Sequence, residues 1–405
     1  MTQQSNPSAT AVVIGGGVIG LSAAYHLSQK RFGRVILLEK AVVGDGSSSR
    51  SGGIITGLLW SKTGILACKT SLALYEQLST TLEPYGYRYQ DVGCLNLFDG
   101  DSWDERKPLL SLYDELGAPF EIIDSDEMRK RWPDLAPAEG LMGLFDPLGG
   151  YSEPHEYVPA LAQFNRDAGV EIRQGQTVTG ILEKNGRVRG VMTVAGPVEA
   201  DVVICTVHTW TMRLLANLGW KLPMKSFVHQ RYVTRPLPDP VRIPAVNANP
   251  YEGYVRPHSG NRILVGGETA NREEYEVPSF DFRMNELAAP PALKDQLYES
   301  FVPLVPRLGQ TGWETEHVGL LSFSMDGEPI LGEAPALPGL FVGASFHSGG
   351  FAYNPVAGQL LAELAADGRT HIDISAFSPD RYGREETEAY LSRTLAQKDA
   401  VQRRH

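Results

Sequence analysis

Cysteine is scarce in this sequence. Cys68, Cys94 and Cys205 are the three cysteines among 405 residues, and no two of them form a C-x-x-C pair. This spacing excludes a disulfide framework and a cysteine-ligated zinc site, and it is typical of proteins in a reducing compartment. We therefore expect buried free thiols, no metal site and a cytoplasmic location.

The sequence also lacks a surplus of basic residues and an uninterrupted apolar run near its start. Lys and Arg number 37 against 48 Asp and Glu, so the formal net charge is -11. This acidic balance argues against non-specific binding to nucleic acid or to anionic membranes. Residues 11–24 are apolar but contain four glycines and a serine, and no basic segment precedes them. We expect neither a signal peptide nor a membrane span there.

A glycine-rich turn follows the first apolar strand. Residues 11–14 predict a buried strand, and Gly15, Gly17 and Gly20 continue it with the spacing G-x-G-x-x-G before a helical pattern. Gly15 permits the tight turn, Gly17 lets the backbone approach a pyrophosphate, and Gly20 lets helix and strand pack closely. The helix N-terminus then presents unpaired N–H groups to the phosphates.

An acid closes this βαβ unit. Residues 35–38 predict a second strand, and Glu39 follows it about 20 residues beyond the glycines, as a dinucleotide-binding fingerprint requires. A carboxylate here accepts from both ribose hydroxyls and disfavours a 2′-phosphate. The motif therefore predicts a dinucleotide other than NADP and leaves NAD and FAD open.

The remaining patterns predict an α/β chain with a second, antiparallel sheet. Helical periodicity occurs in residues 71–82, 154–168 and 293–305, and strand patterns occur in residues 91–98, 170–206 and 224–268. Residues 340–366 run strand, glycine-rich loop and helix, so a second helix N-terminus should face a ligand. At this length the chain exceeds one hydrophobic core, and we expect two domains.

Five separated segments resemble one family, the FAD-dependent amine and amino-acid oxidoreductases, which include D-amino-acid oxidase, glycine oxidase, sarcosine oxidase and dimethylglycine dehydrogenase. They are VVIGGGVIGLSAAYHL, VILLEK, GSSSRSGGI, SFSMDGEPILGEAP and GLFVGASFHSGGFAYNPVAGQLLAEL. The resemblance covers nearly the whole chain, and its most specific part is D-G-x-P-x-x-G followed by a glycine-rich loop and a helix. It implies FAD as the cofactor, in a Rossmann-type FAD-binding domain with βαβ units beside a domain built on an antiparallel sheet.

The resemblance also implies a discontinuous domain arrangement. We expect the FAD-binding domain in residues 11–84, 150–215 and 316–375, the substrate domain in residues 85–149 and 216–315, and a C-terminal surface helix in residues 376–405.

The family's cofactor positions transfer by motif. Gly15, Gly17, Val18, Ile19 and Gly20 would hold the pyrophosphate, Glu39 the ribose and Lys40 the adenine region. Ser47, Ser48, Arg50, Ser51, Gly52 and Gly53 would wrap the phosphates and the isoalloxazine edge, with Val178 beside the adenine. His347, Ser348, Gly349, Gly350, Phe351 and Ala352 would form the loop against the pyrimidine side of the flavin, where the helix dipole favours negative charge near N1.

Two departures from the family concern covalent attachment of the flavin. Sarcosine oxidases attach it to a Cys shortly before D-G-x-P, but residues 319–325 contain none. Dimethylglycine dehydrogenases use a His in the Ser/Gly loop, where this chain has Arg50. We therefore expect non-covalent FAD.

Two further departures concern the substrate. Thr56 and Ala352 stand where sarcosine oxidase carries an Arg and a Lys for the substrate carboxylate. Residues 206–208 (Thr-Val-His) replace the usual A-A-G. The resemblance therefore transfers the fold and leaves the substrate open.

Four residues are our candidates for catalysis or substrate binding. His347 could polarise or deprotonate the substrate, or could instead hydrogen bond the loop backbone. Arg256 is the preferred partner of a carboxylate, the alternative being a solvated strand arginine. Tyr251 and Tyr254 could wall the pocket or belong to the core. No strong base is obligatory, because burial can lower the pKa of a substrate amine.

Other side chains stay as alternatives. His229 and Arg231 follow each other along one strand pattern, and we expect only one of them to face the pocket. Trp60 and Tyr353 are aromatic candidates for the cavity, with packing as the simpler role. If Arg256 has a structural role, Arg231 and Arg50 are the next candidates to bind a substrate carboxylate.

The sequence predicts an FAD-dependent oxidoreductase that oxidises the C–N bond of an amine or amino acid to an imine, which water hydrolyses. A secondary or N-methylated amino acid is favoured, because the SGGF loop most resembles the sarcosine branch. The alternatives are a D-amino-acid dehydrogenase, a non-catalytic FAD-binding subunit of a hetero-oligomeric oxidoreductase, and an NAD-linked dehydrogenase. Oxygen or a redox carrier would accept the electrons. The sequence leaves open whether the chain forms a homo-oligomer or a hetero-oligomer.

Overall fold

The computed structural model describes residues 9–267 and 274–395. Its α/β architecture confirms the predicted fold class. The strands are β1 (Thr10–Ile14), β2 (Arg34–Leu38), β3 (Ile54–Ile55), β4 (Cys94–Phe98), β5 (Glu121–Asp124), β6 (Met142–Asp146), β7 (Gly150–Tyr151), β8 (Glu171–Arg173), β9 (Val178–Lys184), β10 (Arg187–Thr193), β11 (Gly196–Glu199), β12 (Val202–Cys205), β13 (Met224–Thr234), β14 (Ala245–Ala248), β15 (Gly253–His258), β16 (Arg262–Gly267), β17 (Trp313–Ser324), β18 (Ile330–Glu333) and β19 (Leu340–Ala344).

The helices connect these strands and cover the sheets. They are α1 (Val18–Gln29), α2 (Lys62–Thr81), α3 (Gly100–Arg106), α4 (Leu110–Leu116), α5 (Ser125–Arg131), α6 (Pro154–Asp167), α7 (Thr211–Leu215), α8 (Leu293–Phe301), α9 (Gly350–Asp367) and α10 (Arg384–Ser392). Across the part of the chain that the structure describes, none of them combines the length and apolar composition of a membrane crossing.

The first sheet has six strands in the order β18-β19-β12-β1-β2-β8. All neighbours are parallel except β18, which runs antiparallel to β19. β1 and β2 are buried over nearly their whole length, as the apolar runs at residues 11–14 and 35–38 require of strands covered on both faces. α1 and α9 pack on one face of this sheet, and β9–β11 form a small antiparallel sheet within the core on the other face.

The second sheet has eight strands in the order β17-β13-β16-β15-β14-β4-β6-β5. Its pairs are antiparallel except for β4 and β14, which run parallel. The predicted antiparallel sheet therefore exists with one parallel pair, and that pair joins segments about 150 residues apart in the chain. α8 packs on one face through the core around Leu297 and Phe301.

α1 and α9 cross closely, and this contact aligns the two helices that begin at the cavity described below. A Cβ on Gly358 would lie 2.5 Å from the backbone carbon of Ser22. Pro355 inside α9 leaves the carbonyl of Phe351 without its usual helical donor, and the Tyr75 hydroxyl donates to that carbonyl at 2.7 Å instead. The side chain of Tyr75 therefore makes the proline tolerable there.

Several boundaries differ from the sequence predictions. The helix predicted at residues 71–82 begins at Lys62, because Ser61 caps it through the Gly64 N–H. The helix predicted to reach residue 305 ends at Phe301, and a 3₁₀ turn follows from Pro306. The three cysteines are buried and free, as expected.

The domain division stays a prediction, and two observations bear on it. The six strands of the first sheet all fall in the segments assigned to the FAD-binding domain, but β17 pairs with β13 in the second sheet although it extends past residue 316. Within residues 376–395 the predicted C-terminal surface helix corresponds to α10, whose Tyr390 is buried against Phe227 and Phe323. Residues 396–405 lie outside the described residues.

Candidate active site

The glycine-rich turn has the geometry that its sequence predicts. Gly15 has a φ of +100°, and a Cβ there would lie 2.7 Å from the Thr206 carbonyl oxygen. A Cβ on Gly20 would overlap the Gly15 carbonyl, so β1 and α1 approach too closely for any side chain. Gly17 is the N-cap of α1 and has no side chain that could cap the helix, although the Ser48 Oγ accepts from the Val18 N–H. The N-terminus of α1 therefore leaves other first-turn N–H groups for a ligand.

Glu39 fastens the end of β2 to this turn. Its Oε2 accepts from the Gly16 N–H at 2.8 Å, and its Oε1 accepts from the Ala41 N–H at 2.8 Å. Burial raises the pKa of Glu39, while these two N–H groups lower it. The carboxylate also lines the cavity beside the turn, which is the position expected of a ribose partner.

One cavity of about 1090 Å³ runs from the glycine-rich turn to the second sheet. Gly15, Gly17, Val18, Ile19, Glu39, Lys40, Ser47, Ser48, Arg50, Ser51, Gly52, Gly53, Val178 and the whole stretch 347–352 line it. Gly20 is the one predicted cofactor position outside the lining, because it serves helix packing. Chain segments far apart in sequence thus meet where the resemblance places FAD, and their individual roles stay predictions.

The cavity walls fit a dinucleotide. α9 begins there at Gly350, and its N-cap Gly349 has no side chain that could cap the helix. Two helix N-termini with glycine as the N-cap therefore face one cavity, which favours negatively charged groups such as a pyrophosphate. A Cβ on Gly17 would enter the space beside Ser48, 3.1 Å from its Oγ. The residues present thus fit the cofactor that the resemblance implies.

The Ser/Gly loop is tied to its neighbours through side-chain hydrogen bonds. The Ser48 Oγ accepts from the Val18 N–H at 3.0 Å, and the Ser47 hydroxyl donates to the Leu320 carbonyl at 2.8 Å. Arg50 donates to the carbonyls of Asp45 and Gly46. The Arg50 guanidinium therefore fixes the conformation of the Ser/Gly loop. Arg50 stands at the position where dimethylglycine dehydrogenases have the His that binds the flavin.

Lys40 lies at the cavity wall but binds protein atoms. Its Nζ donates to the carbonyls of Phe280 and Phe282 and lies 3.6 Å from the ring centroid of Trp210. Burial lowers the pKa of Lys40 to about 8. These contacts with protein atoms therefore compete with the predicted contact between Lys40 and the adenine region.

A histidine and a tyrosine form a hydrogen-bonded pair at the second-sheet end of the cavity. His229 of β13 and Tyr254 of β15 both line the cavity, with 3.1 Å between His229 Nε2 and the Tyr254 hydroxyl. Their rings stack with centroids 5.7 Å apart. Burial raises the pKa of Tyr254 to about 12, so its phenol is neutral at physiological pH.

Glycine makes this pair possible. β16 lies between β13 and β15, and Gly266 is the register partner of Tyr254. The Tyr254 ring occupies the space that a Cβ on Gly266 or on Gly52 would need. The sequence offered His229 only as an alternative, since the pairing order of these three strands is not local information.

His347 has a strained backbone and a loop contact. Its φ is +44°, and its Nδ1 accepts from the Gly349 N–H at 3.1 Å. A neutral imidazole that accepts at Nδ1 carries its proton on Nε2. His347 therefore fits a loop-holding role or a donor role better than the role of base.

The structure corrects the predicted role of Arg256. Its guanidinium is fully buried, donates to both carboxylate oxygens of Glu153 at 3.0 Å, and also donates to the carbonyls of Gly52 and Pro257. Arg256 is absent from the cavity lining. Burial alone would raise the pKa of Glu153, but Arg256 brings it down to about 2. The arginine has an internal carboxylate partner and is not available to a substrate.

Tyr251 is a second correction. It lies in a 3₁₀ turn before β15 rather than on the strand, and its ring packs beside Phe301. The described cavity lining includes its neighbour Pro250 but not Tyr251. The proline holds the chain in a turn, so Tyr251 does not alternate with Tyr254 on one strand face.

Among the described residues, one group could hold a metal by the spacing of its ligand atoms. It consists of Glu153, His155 and His258. Both carboxylate oxygens of Glu153 already accept from Arg256, so a metal would have to compete with an adjacent buried cation. Nothing else at this group points to a metal.

A buried acid lies behind Thr56, which stands where sarcosine oxidase has an arginine for the substrate carboxylate. Thr56 lines the cavity, and its hydroxyl donates at 2.9 Å to the buried carboxylate of Asp146. Asp146 also accepts from the N–H groups of Gly57, Leu148 and Gly149. This wall therefore offers a carboxylate substrate no positive partner.

His208 is a cavity residue whose geometry the sequence did not reveal. It occupies the family's glycine position with a φ of +49°. Its ring lies 3.0 Å from the Leu320 carbonyl oxygen and 2.7 Å from the Ser322 hydroxyl. Burial lowers the pKa of His208 to about 4, so the imidazole is neutral and acts as a structural link to β17.

Comparisons with known proteins agree with this site. Residues 10–364 match the family described as FAD dependent oxidoreductase (DAO). The 4-methylaminobutanoate oxidase (formaldehyde-forming) of Paenarthrobacter nicotinovorans is 30% identical over 94% of this chain, which spans 46% of that relative's length. Sarcosine oxidase subunit beta of Rhodobacter capsulatus is 27% identical over 88% of this chain and 84% of its own.

A solved structure extends the likeness to three dimensions. L-proline dehydrogenase from P. horikoshii superposes with a TM-score of 0.84 at 25% identity, over 93% of this chain and 98% of that protein. The likeness thus extends over nearly the whole fold.

Proposed function

The chain belongs to the FAD dependent oxidoreductase family, and from this premise we propose that it oxidises the C–N bond of an amine or amino acid. A secondary or N-methylated amino acid is the preferred substrate. The relatives' names support this preference, because 4-methylaminobutanoate, sarcosine and proline all carry a carboxylate and a secondary amine.

The observation that carries the proposal is the single cavity joining the glycine-rich turn to the pair of His229 and Tyr254. FAD, when bound, accepts the hydride and thus the two electrons of the oxidation. The substrate loses this hydride from carbon and a proton from nitrogen, which leaves an imine. Water then adds to the imine, and a carbonyl compound and an amine are released.

His229 and Tyr254 are the groups proposed to bind the substrate nitrogen. The hydride leaves readily only when the amine is neutral, so an ammonium substrate must first give up a proton. The pair offers an imidazole nitrogen and a neutral phenol 3.1 Å apart, which can accept that proton and orient the nitrogen. The pair is largely buried, and burial strengthens these hydrogen bonds.

A subunit role is the second candidate. The likeness to a sarcosine oxidase subunit beta over most of both chains supports association with another chain. This candidate and catalysis are compatible, because the beta-type subunit would keep its own flavin cavity. Purification followed by measurement of the mass in solution tests it.

Anaerobic flavin reduction tests the proposed activity. The purified holoprotein is mixed with a panel of secondary amino acids, primary amino acids of both configurations and simple amines. We expect loss of the visible flavin band with secondary amino acids, at a rate that exceeds the rates with primary ones. Reduction by D-amino acids alone would favour the D-amino-acid dehydrogenase, and the absence of reduction by every amine would contradict catalysis.

A further inference from the structure

Arg106 is a buried cation without an anionic partner among the residues that the structure describes. It ends α3 and is 0% exposed. Its Nη2 donates to the Leu58 carbonyl, and apart from the Tyr113 hydroxyl its Nε and Nη1 have no nearby acceptor among the described residues. No acid forms an ion pair with Arg106 among residues 9–267 and 274–395. Because burying an unpaired charge is strongly unfavourable, such an arginine is expected to have a partner that the protein alone does not supply.

Aromatic rings surround the guanidinium. The ring centroids of Trp60, Tyr113 and Phe98 lie 4.5, 5.5 and 5.9 Å from its central carbon. These contacts offset part of the desolvation of the charge, but they supply no negatively charged partner. Burial lowers the pKa of Arg106, and the Tyr113 hydroxyl partly opposes this shift.

The cation lies directly behind the cavity wall. Leu58, Leu59, Trp60 and Phe98 all line the cavity, and Leu58, Trp60 and Phe98 are the residues that contact or surround the guanidinium. The Trp60 indole Nε1 is a second buried donor without an acceptor at the same wall. Trp60 is partly exposed and lines the cavity, and its ring lies against the Arg106 guanidinium.

We propose that Arg106 is the partner of a carboxylate on the substrate, and that Trp60 moves aside or turns its N–H toward that carboxylate when the substrate binds. The inference rests on the proposed function and narrows it to amino acids, as opposed to amines without an acid group. It also supplies the cation missing at Thr56 and Ala352. Arg106 is thereby a binding residue at the end of the cavity lined by α3.

Other cations at or near the cavity are less suited. Lys40 and Arg50 donate to loop carbonyls, and Arg256 is paired with Glu153. Arg231 resembles Arg106 in having Nε and Nη1 without acceptors, but its Nη2 donates to the Ser49 carbonyl, in the loop assigned to the flavin. Arg231 is therefore the rival that the experiment must include.

The test compares matched substrates in anaerobic flavin reduction by the holoprotein. Sarcosine and 4-methylaminobutanoate carry the carboxylate, and N-methylbutylamine lacks it. We expect Arg106→Met to raise the apparent Kd of the two acids by about 30-fold or more, since it removes one partner of a desolvated charge pair. The same variant should keep the Kd of N-methylbutylamine within about threefold of the wild-type value. The control is Arg34→Met, which removes an exposed ion pair with Glu171. It should change neither the Kd of the two acids nor the Kd of the amine.

Three results would overturn the assignment. The first is an equal effect of Arg106→Met on the acids and the amine. The second is an unchanged Kd for the acids. The third is a selective loss in Arg231→Met that Arg106→Met does not reproduce.

A second measurement does not depend on the folding of the arginine variant or on turnover. Butanoate is titrated into the wild-type holoprotein and into Trp60→Phe, with tryptophan fluorescence as the readout. We expect a saturable change in the wild type that Trp60→Phe lacks, and no such change with butylamine. No change with butanoate, or a change that persists in Trp60→Phe, would contradict the proposal. Because butanoate is not oxidised, this outcome is separate from a failure of the proposed activity.

Discussion

The geometry of the candidate active site depends on glycines as much as on residues with side chains. Gly266 faces Tyr254 in the ladder between β15 and β16, and the phenol ring fills the space above it to reach His229. Gly52 borders the same ring from the Ser/Gly loop. The position of the phenol is therefore set by two glycines that lie more than 200 residues apart.

The first prediction concerns this pair. Tyr254→Phe removes the hydrogen bond to His229, and Gly266→Ala forces the ring away from it. Each variant should slow anaerobic flavin reduction at least tenfold, which corresponds to about 1.4 kcal/mol in the barrier. Gly180→Ala, at a glycine with open space around its Cβ position, is the control and should reduce at the wild-type rate. Wild-type rates in both test variants would show that the pair takes no part.

The second prediction follows from the ion pair of Arg256 and Glu153. The folded pKa of Glu153, about 2, lies below its usual value, so the folded carboxyl holds a proton less tightly than the unfolded one. Its contribution to the free energy of unfolding is fully present above about pH 4.5 and is lost as the pH falls toward 2, by roughly 3 kcal/mol in total. Urea unfolding of the wild type across this range should show that loss.

Arg256→Met supplies the comparison. Removing one partner of a buried pair should destabilise the fold by about 3–5 kcal/mol at neutral pH. It should also reverse the sign of Glu153's part of the pH dependence, because burial without Arg256 raises the pKa of this carboxyl. It should lower kcat/KM equally for substrates with and without a carboxylate. A selective loss with the acids would restore Arg256 to the role that the sequence suggested.

The sequence predicted residues that line the cavity but not these contacts, and the reason is physical. The predicted cofactor positions belong to local turns, so spacing indicates Gly15 and Gly17, and the family resemblance indicates the loop at 347–352. The partner of Arg256 is 103 residues away, and Arg106 shows no pattern that distinguishes it from an exposed helix-end arginine. Only the order of the strands and the packing of α3 bring these groups together.

At the scale of elements, α1 and α9 act as one unit. Both begin at the cavity, and they cross where Gly358 meets the backbone of Ser22. The hydroxyl of Ser22 donates to the Pro355 carbonyl at 3.2 Å, which adds a polar contact at the crossing. The strand, loop and helix pattern of residues 340–366 predicts α9 itself, but the crossing depends on which helices share a sheet face.

The third prediction tests this crossing. Gly358→Val places a branched side chain against the Ser22 backbone, so the two helices must separate. We expect a loss of about 1–3 kcal/mol in the free energy of unfolding and a weaker affinity for FAD, because both helix N-termini shift. Gly358→Ala should give a smaller effect of the same sign.

The control for the crossing is Gly312→Ala, at a glycine with no atom near its Cβ position. Flavin content after purification and urea unfolding are the measurements. A Gly358→Val protein with full flavin content and wild-type stability would mean that the close approach is unimportant.

At the scale of the whole molecule, two sheets enclose one cavity. The six-stranded sheet supplies the glycine-rich turn and α9, and the eight-stranded sheet supplies His229 and Tyr254. The sequence predicted both sheets, but not the parallel pairing of β4 with β14, which is a contact between distant segments. This division places the dinucleotide fingerprint and the proposed substrate groups on opposite walls.

The fourth prediction is that the FAD is not covalently attached. No cysteine occurs among residues 319–325, and Arg50 in the family's His position is engaged with loop carbonyls. Cys68, Cys94 and Cys205 are buried and absent from the cavity lining. Acid precipitation should leave the yellow colour in the supernatant, whereas colour that stays with the pellet would require a covalent link.

The most direct test of the central claim is the stoichiometry of a single anaerobic turnover. The holoprotein is mixed with an excess of a secondary amino acid, and both the loss of the visible flavin band and the carbonyl product are quantified. We expect one carbonyl product for each FAD reduced, because hydride loss from carbon and hydrolysis of the imine are linked one to one. Unbleached flavin with every secondary amino acid, or bleaching without a carbonyl product, would contradict it.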